Sequence, residues 1–414
     1  MNRTRTCGLC AALLALLVAV AGVTVSEKIV IAQGRGGPAL RVAALWPQPL
    51  PNHEVFGSVT GIAVDAQDHV WVVHRGADSL EPAEKGVTLS PPTSGICCVA
   101  APFVMEFDPA GKMVSSFGGP GQGYQWPQAV GGIAVDGKGN VWIAAMGLEP
   151  APPPPPGARG RGRGAAPAGP PPVPDAHVLK FSKTGQFLLQ IGTPGKMEGP
   201  DSQTALNRPT AIAVDNAANE VYVADRGNHR IVVFDADKGT YKRQWGGSGD
   251  KATATGAGPG SYDPSAPPSK QFRDVSCVKI AKDGMVYVCD RTNDRIQVFQ
   301  KDGKFVKEGS VSKNTTGAVI AGTFGVLDAS GSVWDIAFSS DPQQQFIYVA
   351  DGGDKKVLIL NRNTLAQVGT LGSGGRYPGQ FLVVSTVATD SHGNLYTGEQ
   401  HHGKRVQKFS TTGK

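Results

Sequence analysis

Short runs of alternating apolar and polar residues recur along the chain from about residue 60 to the C-terminus. Each copy begins with a small residue and an apolar stretch, which ends in Asp in the most regular copies. A turn with Gly or Asn follows, and then a second β-rich stretch. Alternation with a period of two, interrupted by turn residues, is typical of antiparallel hairpins. The first stretches of the six copies are residues 61–65, 132–136, 211–215, 277–281, 335–338 and 386–390.

Each copy continues into a third stretch, and five of the six into a fourth, more polar one. Six units of four strands describe the blades of a β-propeller. The sixth copy reaches Lys414 without a fourth strand, whereas residues 40–45 have strand character. We expect this N-terminal segment to become the outermost strand of the last blade, because closing the ring removes exposed sheet edges. The predicted fold class is all-β, a closed six-bladed β-propeller.

Residues 223–231, Val-Ala-Asp-Arg-Gly-Asn-His-Arg-Ile, closely resemble the signature of NHL repeats. Residues 288–296, Val-Cys-Asp-Arg-Thr-Asn-Asp-Arg-Ile, resemble it nearly as well. The resemblance extends from about Leu40 to the C-terminus and implies a propeller of the NHL type. One fold hosts many sites, so it says little about function.

Composition supports a strand-rich globular chain and excludes several function classes. The 414 residues include 55 Gly and 31 Pro, and both residue types interrupt helices. The formal net charge is +6, but no basic motif is interleaved with aromatic residues, so we expect no nucleic-acid partner. The chain also lacks a G-x-S-x-G elbow, an H-E-x-x-H motif and a P-loop, the sequence signatures of three large enzyme groups.

Residues 1–32 have the features of a targeting segment. Arg3 and Arg5 precede a nearly uninterrupted apolar run over residues 9–25. This run is at the short end of what could span a bilayer, so a signal peptide and an N-terminal membrane anchor are both open. Either one predicts a secreted or periplasmic protein, with residues 33–414 forming a single propeller domain.

Two insertions lengthen the connections between second and third strands in the first two blades. The first, residues 77–100, contains the adjacent Cys97 and Cys98, whose pairing the sequence leaves open. The second, at about residues 149–174, joins a Pro run to Gly-Ala-Arg-Gly-Arg-Gly-Arg-Gly. It has no apolar periodicity that could offset the entropy of ordering, so we expect it to be disordered.

Cys277 and Cys289 are better placed for a disulfide. A hairpin centred on Asp283 sets the two cysteines opposite each other on antiparallel strands. Their Cα atoms would then lie ~4.5–5.5 Å apart, within disulfide reach. The alternative is a pair of buried thiols that pack as small apolar groups.

Loops that follow the second strand of each blade meet on one face of a propeller, around the central channel. Aligning the six copies places three arginines at one equivalent position, directly after the second strand. Three acidic residues and one histidine fall at the position just before it. Such a ring could bind a small anionic ligand, a peptide or a protein, or its carboxylates could merely tie loops together through backbone N–H groups. The predicted ligand-binding residues are Arg75, Arg226, Arg291, His74, Asp225, Asp290 and Glu399.

Residues 72–76, Val-Val-His-Arg-Gly, and residues 289–299 resemble the lyase half of the peptidylglycine α-amidating enzymes. That family splits peptidyl-α-hydroxyglycine into a peptide amide and glyoxylate, with a zinc ion on three histidines, a tyrosine, and arginines that hold the substrate carboxylate. The resemblance implies that Arg75 and Arg291 hold a carboxylate, to which a guanidinium is well matched. The positions that correspond to the zinc histidines and, approximately, to the tyrosine are Gly131, Ser276, Ser385 and Gly227.

The favoured hypothesis is therefore an extracytoplasmic propeller that binds a small carboxylate ligand or peptide at its channel mouth, as a monomer. A divergent peptidyl-α-hydroxyglycine lyase is the first alternative, and a protein-interaction scaffold that uses the blade insertions is the second. Whether the chain is an enzyme stays open. Zinc or calcium could be a cofactor, but no motif in the sequence supports either metal.

Overall fold

The computed structural model describes residues 37–147, 174–257, 262–315, 319–322, 325–328 and 330–412. The predicted targeting segment and nearly all of the insertion predicted to be disordered lie outside these residues, so both stay predictions. Among the residues described, no helix is long and apolar enough to cross a membrane.

Six antiparallel sheets of four strands each form the blades, and the predicted all-β, six-bladed propeller is confirmed. Blade 1 contains β3 (Val59–Val64), β4 (Val70–His74), β6 (Val104–Phe107) and β7 (Met113–Phe117). Blade 2 contains β8 (Val130–Val135), β9 (Val141–Ala145), β10 (His177–Phe181) and β11 (Phe187–Gly192). Blade 3 contains β12 (Pro209–Asp215), β13 (Glu220–Asp225), β14 (Arg230–Asp235) and β15 (Tyr241–Trp245).

The second half of the ring repeats this order. Blade 4 contains β16 (Val275–Ile280), β17 (Val286–Asp290), β18 (Arg295–Phe299) and β19 (Phe305–Ser310). Blade 5 contains β22 (Asp335–Phe338), β23 (Phe346–Asp351), β24 (Lys356–Asn361) and β25 (Gln367–Leu371). Blade 6 contains β26 (Val384–Thr389), β27 (Leu395–Glu399), β28 (Val406–Thr411) and β1 (Leu40–Ala43).

Short elements occupy the connections between these strands. Strands β2 (Glu54–Val55) and β5 (Val99–Ala100) pair in parallel, and β20 (Val319–Gly322) pairs with β21 (Gly325–Asp328) in a hairpin between blades 4 and 5. The 3₁₀ turns are Pro51–His53, Gly76–Ser79, Pro82–Glu84, Gly86–Thr88, Arg226–Asn228, Gly247–Gly249 and Arg291–Asn293.

The N-terminal strand closes the ring, as predicted. Strand β1 runs antiparallel to β28, with Leu40 opposite Thr411 and Ala43 opposite Lys408. The strand is two residues shorter than the segment predicted, and Leu45 beyond it is 90% exposed. Blade 6 thus combines strands from both ends of the sequence, which holds the ring shut.

The apolar core lies between adjacent blades, and the alternation along each strand explains why. In β4, Val70 and Val72 pack in the cluster shared with blade 6, whereas Trp71 and Val73 pack in the cluster shared with blade 2. The second strand of a blade therefore buries both faces and is almost continuously apolar. An outermost strand such as β19 instead alternates half-buried and exposed residues.

Both cysteine pairs form disulfides. Cys277 and Cys289 are direct partners in the ladder between β16 and β17, with Cα atoms 4.9 Å apart, which confirms the predicted bridge. Cys97 and Cys98, whose pairing the sequence left open, are bonded to each other. Disulfides persist in oxidising compartments, so both bridges are consistent with an extracellular protein.

Candidate functional site

A cavity of about 290 Å³ opens at the end of the central channel where the second strands of the blades finish. Arg75, Arg226 and Arg291 reach it from blades 1, 3 and 4, so the structure brings together the three arginines that the sequence selected. We call this space the arginine cavity. Its lining consists of Thr60, Arg75, Gly131, Met146, Thr210, Arg226, Asp274, Ser276, Arg291, Trp334, Ser385, Gln400 and His401.

One carboxylate positions two of the three guanidinium groups. Asp274 Oδ1 lies 2.7 Å from Arg226 Nε, and Asp274 Oδ2 accepts a hydrogen bond of 2.8 Å from Arg291 Nε. The Arg291 guanidinium also lies over the ring of Trp334, with its central carbon 4.5 Å from the centroid. Ion pairing on one side and a cation–π contact on the other fix the direction of Arg291. Sequence alignment of the repeats missed both Asp274 and Trp334.

Arg75 occupies the opposite part of the lining, beside blade 2. Its Nη2 atom lies 3.6 Å from the sulfur of Met146, and its backbone N–H donates to the carbonyl of Ser58. Among the lining residues described, three guanidinium groups face one carboxylate. The cavity therefore carries an excess of positive charge, flanked by the apolar surfaces of Met146 and Trp334.

Hydroxyl side chains that line the same cavity connect neighbouring blades. They belong to residues at the start of the innermost strands, and each donates to a backbone carbonyl of the next blade. These bonds hold the first strands together around the channel. They run from Thr60 to Gly131 (2.9 Å), from Thr210 to Val275 (2.7 Å), from Ser276 to Val333 (2.8 Å) and from Ser385 to Val59 (2.9 Å).

The residues at the expected zinc positions do not fit a zinc ion on three histidines. Ser276 and Ser385 use their hydroxyls as donors between blades. At Gly131 a Cβ atom would lie 2.8 Å from the carbonyl oxygen of Thr210, so a larger side chain would require the blades to move. Zinc in proteins is bound by Cys, His and carboxylate groups, and these three positions supply none.

The structure does not bring the predicted carboxylates into the arginine cavity. Asp225, Asp290 and Glu399 are fully buried and lie outside its lining. Asp225 accepts from the backbone N–H of Asn207 (2.7 Å) and from Arg230 Nε (2.8 Å). A carboxylate at the end of the second strand fixes the loop that precedes the first strand of the same blade, because its oxygens accept hydrogen bonds from the backbone N–H groups of that loop.

The same arrangement recurs in blades 4 and 6. Asp290 accepts from the backbone of Arg273 (2.9 Å) and from Arg295 Nε (2.9 Å). Glu399 accepts from the backbone of Leu382 (2.6 Å) and from Arg405. These three carboxylates lie within their own blades as loop ties, each with an arginine partner, which is the alternative that the sequence left open.

His74 is likewise a buried structural residue rather than part of the cavity lining. Its Nδ1 accepts from the backbone N–H groups of Gly57 (2.9 Å) and Gly76 (3.1 Å), and its Nε2 donates to the carbonyl of Pro102 (2.8 Å). Burial lowers the pKa of His74 to about 4. The neutral imidazole therefore fixes the start of the first insertion.

A second cluster of polar groups lies at the other end of blade 1. Asp65, His69 and Glu106 place one ligand atom each within 4.8 Å of one another. Lys183 already pairs with both carboxylates, since its Nζ lies 3.6 Å from Asp65 Oδ2 and 2.9 Å from Glu106 Oε1. This cluster is an ion-pair network and carries no argument for a metal.

The repeat architecture agrees with comparisons to known proteins. A family model described as "NHL repeat" matches residues 206–234. The chain is a six-bladed β-propeller that carries an NHL repeat, and the predicted resemblance is confirmed.

The chain is also distantly similar to amidating enzymes. It is 25% identical over 61% of its length to "Peptidylglycine alpha-amidating monooxygenase" of Rattus norvegicus. It is 24% identical over 86% of its length to "Peptidyl-glycine alpha-amidating monooxygenase B" of Xenopus laevis. The matched regions make up 22% and 34% of those two proteins, so the chain corresponds to only a part of each.

Two further proteins show similarity to the chain. "NHL repeat-containing protein 3" of Homo sapiens is 35% identical over 30% of this chain and 31% of its own length. A catalytically inactive virginiamycin B lyase from Staphylococcus aureus, solved with quinupristin, superposes with a TM-score of 0.44 at 12% identity, over 90% of this chain and 88% of that one.

Proposed function

We propose that the protein binds a small carboxylate-bearing molecule, such as the C-terminal end of a peptide, in the arginine cavity. The observation that carries the proposal is the convergence of Arg75, Arg226 and Arg291 on one cavity with a single lining carboxylate among the residues described. Burial of the site strengthens the attraction for an anion, because charges interact more strongly away from bulk water.

Prior positioning of the guanidinium groups supports the same conclusion. Arg291 is only 6% exposed and is held by Asp274 and Trp334 before any ligand arrives. A fixed guanidinium loses little side-chain entropy on binding and presents its donors in a planar fork that matches a carboxylate. Both Arg226 and Arg291 pair with Asp274. We assign the ligand carboxylate to Arg75 and Arg291, because these two match the carboxylate-holding arginines of the amidating enzymes that the sequence resembles.

The remaining lining defines what accompanies the carboxylate. Met146 and Trp334 offer apolar surface, and Gln400 offers an amide. A volume of about 290 Å³ is near the lower end of the range for small-molecule sites. An N-acylated glycine, which combines a carboxylate, an amide and a short apolar group, has the right size and chemistry.

Isothermal titration with N-benzoylglycine tests this proposal. We expect Arg75→Ala and Arg291→Ala each to weaken binding by about tenfold or more, since a hydrogen bond to a charged group contributes roughly 1.5–3 kcal/mol. Arg376→Ala, which removes an exposed arginine outside the cavity, is the matched control and should bind normally. N-benzoylglycinamide, which lacks the carboxylate, should not bind. Equal affinities for acid and amide, or normal binding by both cavity variants, would contradict the proposal.

Catalysis as a divergent peptidyl-α-hydroxyglycine lyase is the second candidate function. Similarity to the amidating enzymes favours it, together with the presence of Arg75 and Arg291 in one cavity. The zinc positions oppose it, because Gly131, Ser276 and Ser385 offer no ligand of the kind zinc takes. Incubation with a peptidyl-α-hydroxyglycine separates the two candidates: glyoxylate formed faster than without protein, and lost in Arg75→Ala, identifies an enzyme.

We further propose that the protein acts outside the cytoplasm as a monomer. The two disulfides and the apolar run over residues 9–25 support export. Expression with the native N-terminus, followed by cell fractionation, should recover the protein from the medium, periplasm or membrane. Recovery from the cytoplasm with free thiols would contradict export, and a dimer in light scattering would contradict the monomer.

A further inference from the structure

The residues that directly follow the second strands occupy equivalent places around the arginine cavity, and we call them the rim positions. They are Arg75, Met146, Arg226, Arg291, Gly352 and Gln400. In four blades the backbone N–H at the rim position donates to the carbonyl of the residue just before the first strand. These bonds run from Arg75 to Ser58 (3.0 Å), from Met146 to Ala129 (2.9 Å), from Arg291 to Asp274 (2.8 Å) and from Gln400 to Val383 (3.0 Å). Gln400 therefore starts from the same backbone position in blade 6 as the arginines do in blades 1 and 4.

Blade 5 has a glycine at its rim position, and a tryptophan fills the space beside it. A Cβ atom on Gly352 would lie 2.7 Å from a ring atom of Trp334, so a larger residue would displace that ring. The side chains at the other rim positions are three guanidinium groups, one thioether and one amide. Guanidinium groups only donate hydrogen bonds, and a thioether is a weak acceptor. Gln400 is thus the rim position that supplies an oxygen acceptor.

The Gln400 side chain is buried at the cavity and is not used by the protein. The residue is only 9% exposed and belongs to the lining. Blade 6 already uses its main chain, because the backbone N–H donates to Val383 and the carbonyl accepts from Gly403 (3.0 Å). The side-chain amide makes no hydrogen bond within the described part of the chain. Buried polar groups in native proteins nearly always have a partner, so this amide indicates one that comes from outside the chain.

Ser58 places Gln400 beside Arg75. The carbonyl of Ser58 accepts from the backbone N–H of Arg75 (3.0 Å), and its hydroxyl accepts from the backbone N–H of His401 (3.1 Å). His401 directly follows Gln400 and also lines the cavity. One residue thus joins the rim of blade 1 to the rim of blade 6. A ligand whose carboxylate lies on Arg75 would present its neighbouring group to the Gln400 amide.

We propose that Gln400 determines specificity by accepting a hydrogen bond from an amide N–H next to the ligand carboxylate. This assignment rests on the proposed function, because it takes the carboxylate to lie on Arg75. An ester in place of the amide has no proton to donate, and it turns oxygen lone pairs toward the Gln400 oxygen. A buried acceptor that stays unpaired in the complex weakens binding. The cavity should therefore distinguish amides from esters of the same shape.

Isothermal titration with two ligands of the same shape tests the role of Gln400. O-benzoylglycolic acid has an ester oxygen where N-benzoylglycine has an amide N–H. We expect the wild type to bind N-benzoylglycine about tenfold more tightly than the ester. Gln400→Leu, which removes the acceptor, should bind the two ligands with equal affinity. Gln343→Leu, which alters an exposed glutamine outside the cavity, should keep the full preference for the amide.

Failure of this assignment can be told apart from failure of the carboxylate site. Equal affinities of the wild type for both ligands would overturn the role of Gln400 and leave the carboxylate site standing. This comparison needs no variant, so it can refute the role even if Gln400→Leu is unstable. An amide preference that persists in folded Gln400→Leu would also overturn it, because another group would then bind the N–H. Binding of neither ligand would overturn both proposals.

Discussion

The buried pair of Asp225 and Arg230 allows a sharp test of the role that the structure gives to the repeat carboxylates. Both side chains are 0% exposed. Besides Asp225, Arg230 donates to the carbonyls of Pro200 (2.7 Å), Ser202 (2.6 Å) and Ala205 (2.8 Å). Arg230→Met would leave the buried carboxylate without its cation and the carbonyls of Ser202 and Ala205 without this donor, whereas the Pro200 carbonyl keeps the Gln244 amide at 2.9 Å.

Removing one partner of a buried ion pair costs about 3–5 kcal/mol. Burial raises the pKa of Asp225 even with Arg230 present, so part of this loss should be relieved as the carboxyl takes up a proton at low pH. The assay is guanidinium-induced unfolding, followed by tryptophan fluorescence, for the wild type and Arg230→Met at pH 8 and pH 5.5. We expect the full loss at pH 8 and a smaller one at pH 5.5.

Arg243→Met is the matched control, because Arg243 pairs with Glu220 where its side chain is 27% exposed. Solvent weakens this pair, and the expected loss is about 1 kcal/mol. Adding Asp225→Asn to Arg230→Met should recover part of the stability by removing the unpaired charge. A loss below 1 kcal/mol for Arg230→Met, or one equal to that of Arg243→Met, would refute the structural role of the pair.

Three further changes test other parts of the structure. The free energy of unfolding should fall by up to about 3 kcal/mol as the pH drops from about 6.5 to 4, because buried His74 stays neutral in the folded state and is protonated on unfolding. In urea unfolding, His74→Gln should remove this pH-dependent component. Identical pH profiles for the wild type and the variant would contradict the prediction. The double variant Cys277→Ala/Cys289→Ala opens a bridge between residues 12 apart, so it should lose about 2–3 kcal/mol in thermal unfolding, and an unchanged Tm would contradict that. Lys356→Arg should raise the Tm by giving buried Asp351, whose cross-strand partner is Lys356, an arginine like those that pair with the carboxylates of blades 3, 4 and 6, and an unchanged or lower Tm would speak against this.

Most of the fold could be predicted from the sequence, because a propeller blade follows a strict pattern. In β4 successive residues enter two different cores, so the second strands are conspicuous apolar runs between turn signals. Ring closure was predictable because one blade lacked a strand and the N-terminal segment offered one. The cross-strand position of Cys277 and Cys289 followed from the hairpin alone.

The site was only partly predictable, for a physical reason. Equivalent positions in the repeats fix where a backbone lies, but they do not fix whether a side chain points into the channel or into its own blade. Asp225 turns inward to meet Arg230, whereas the next residue, Arg226, reaches the cavity. The alignment predicted both as ligand-binding residues. An arginine five residues after the carboxylate in blades 3 and 4, and six residues after it in blade 6, was the available sign that the carboxylate was already paired.

Residues that come from irregular connections were missed entirely. Asp274 and Trp334 lie just before the first strands of blades 4 and 5, where the repeat pattern gives no alignment to read. An acidic residue directly before Val275 was visible in the sequence, but nothing local shows that it lies between Arg226 and Arg291. Only closure of the ring brings these groups together.

A crystal structure with bound N-benzoylglycine would test the central claim most directly. We predict electron density for the carboxylate in the arginine cavity, within hydrogen-bonding distance of Arg75 and Arg291 and beside the ring of Trp334. Density for the ligand at another surface, or a cavity that stays without ligand at saturating concentration, would contradict the assignment of this end of the channel as the binding site.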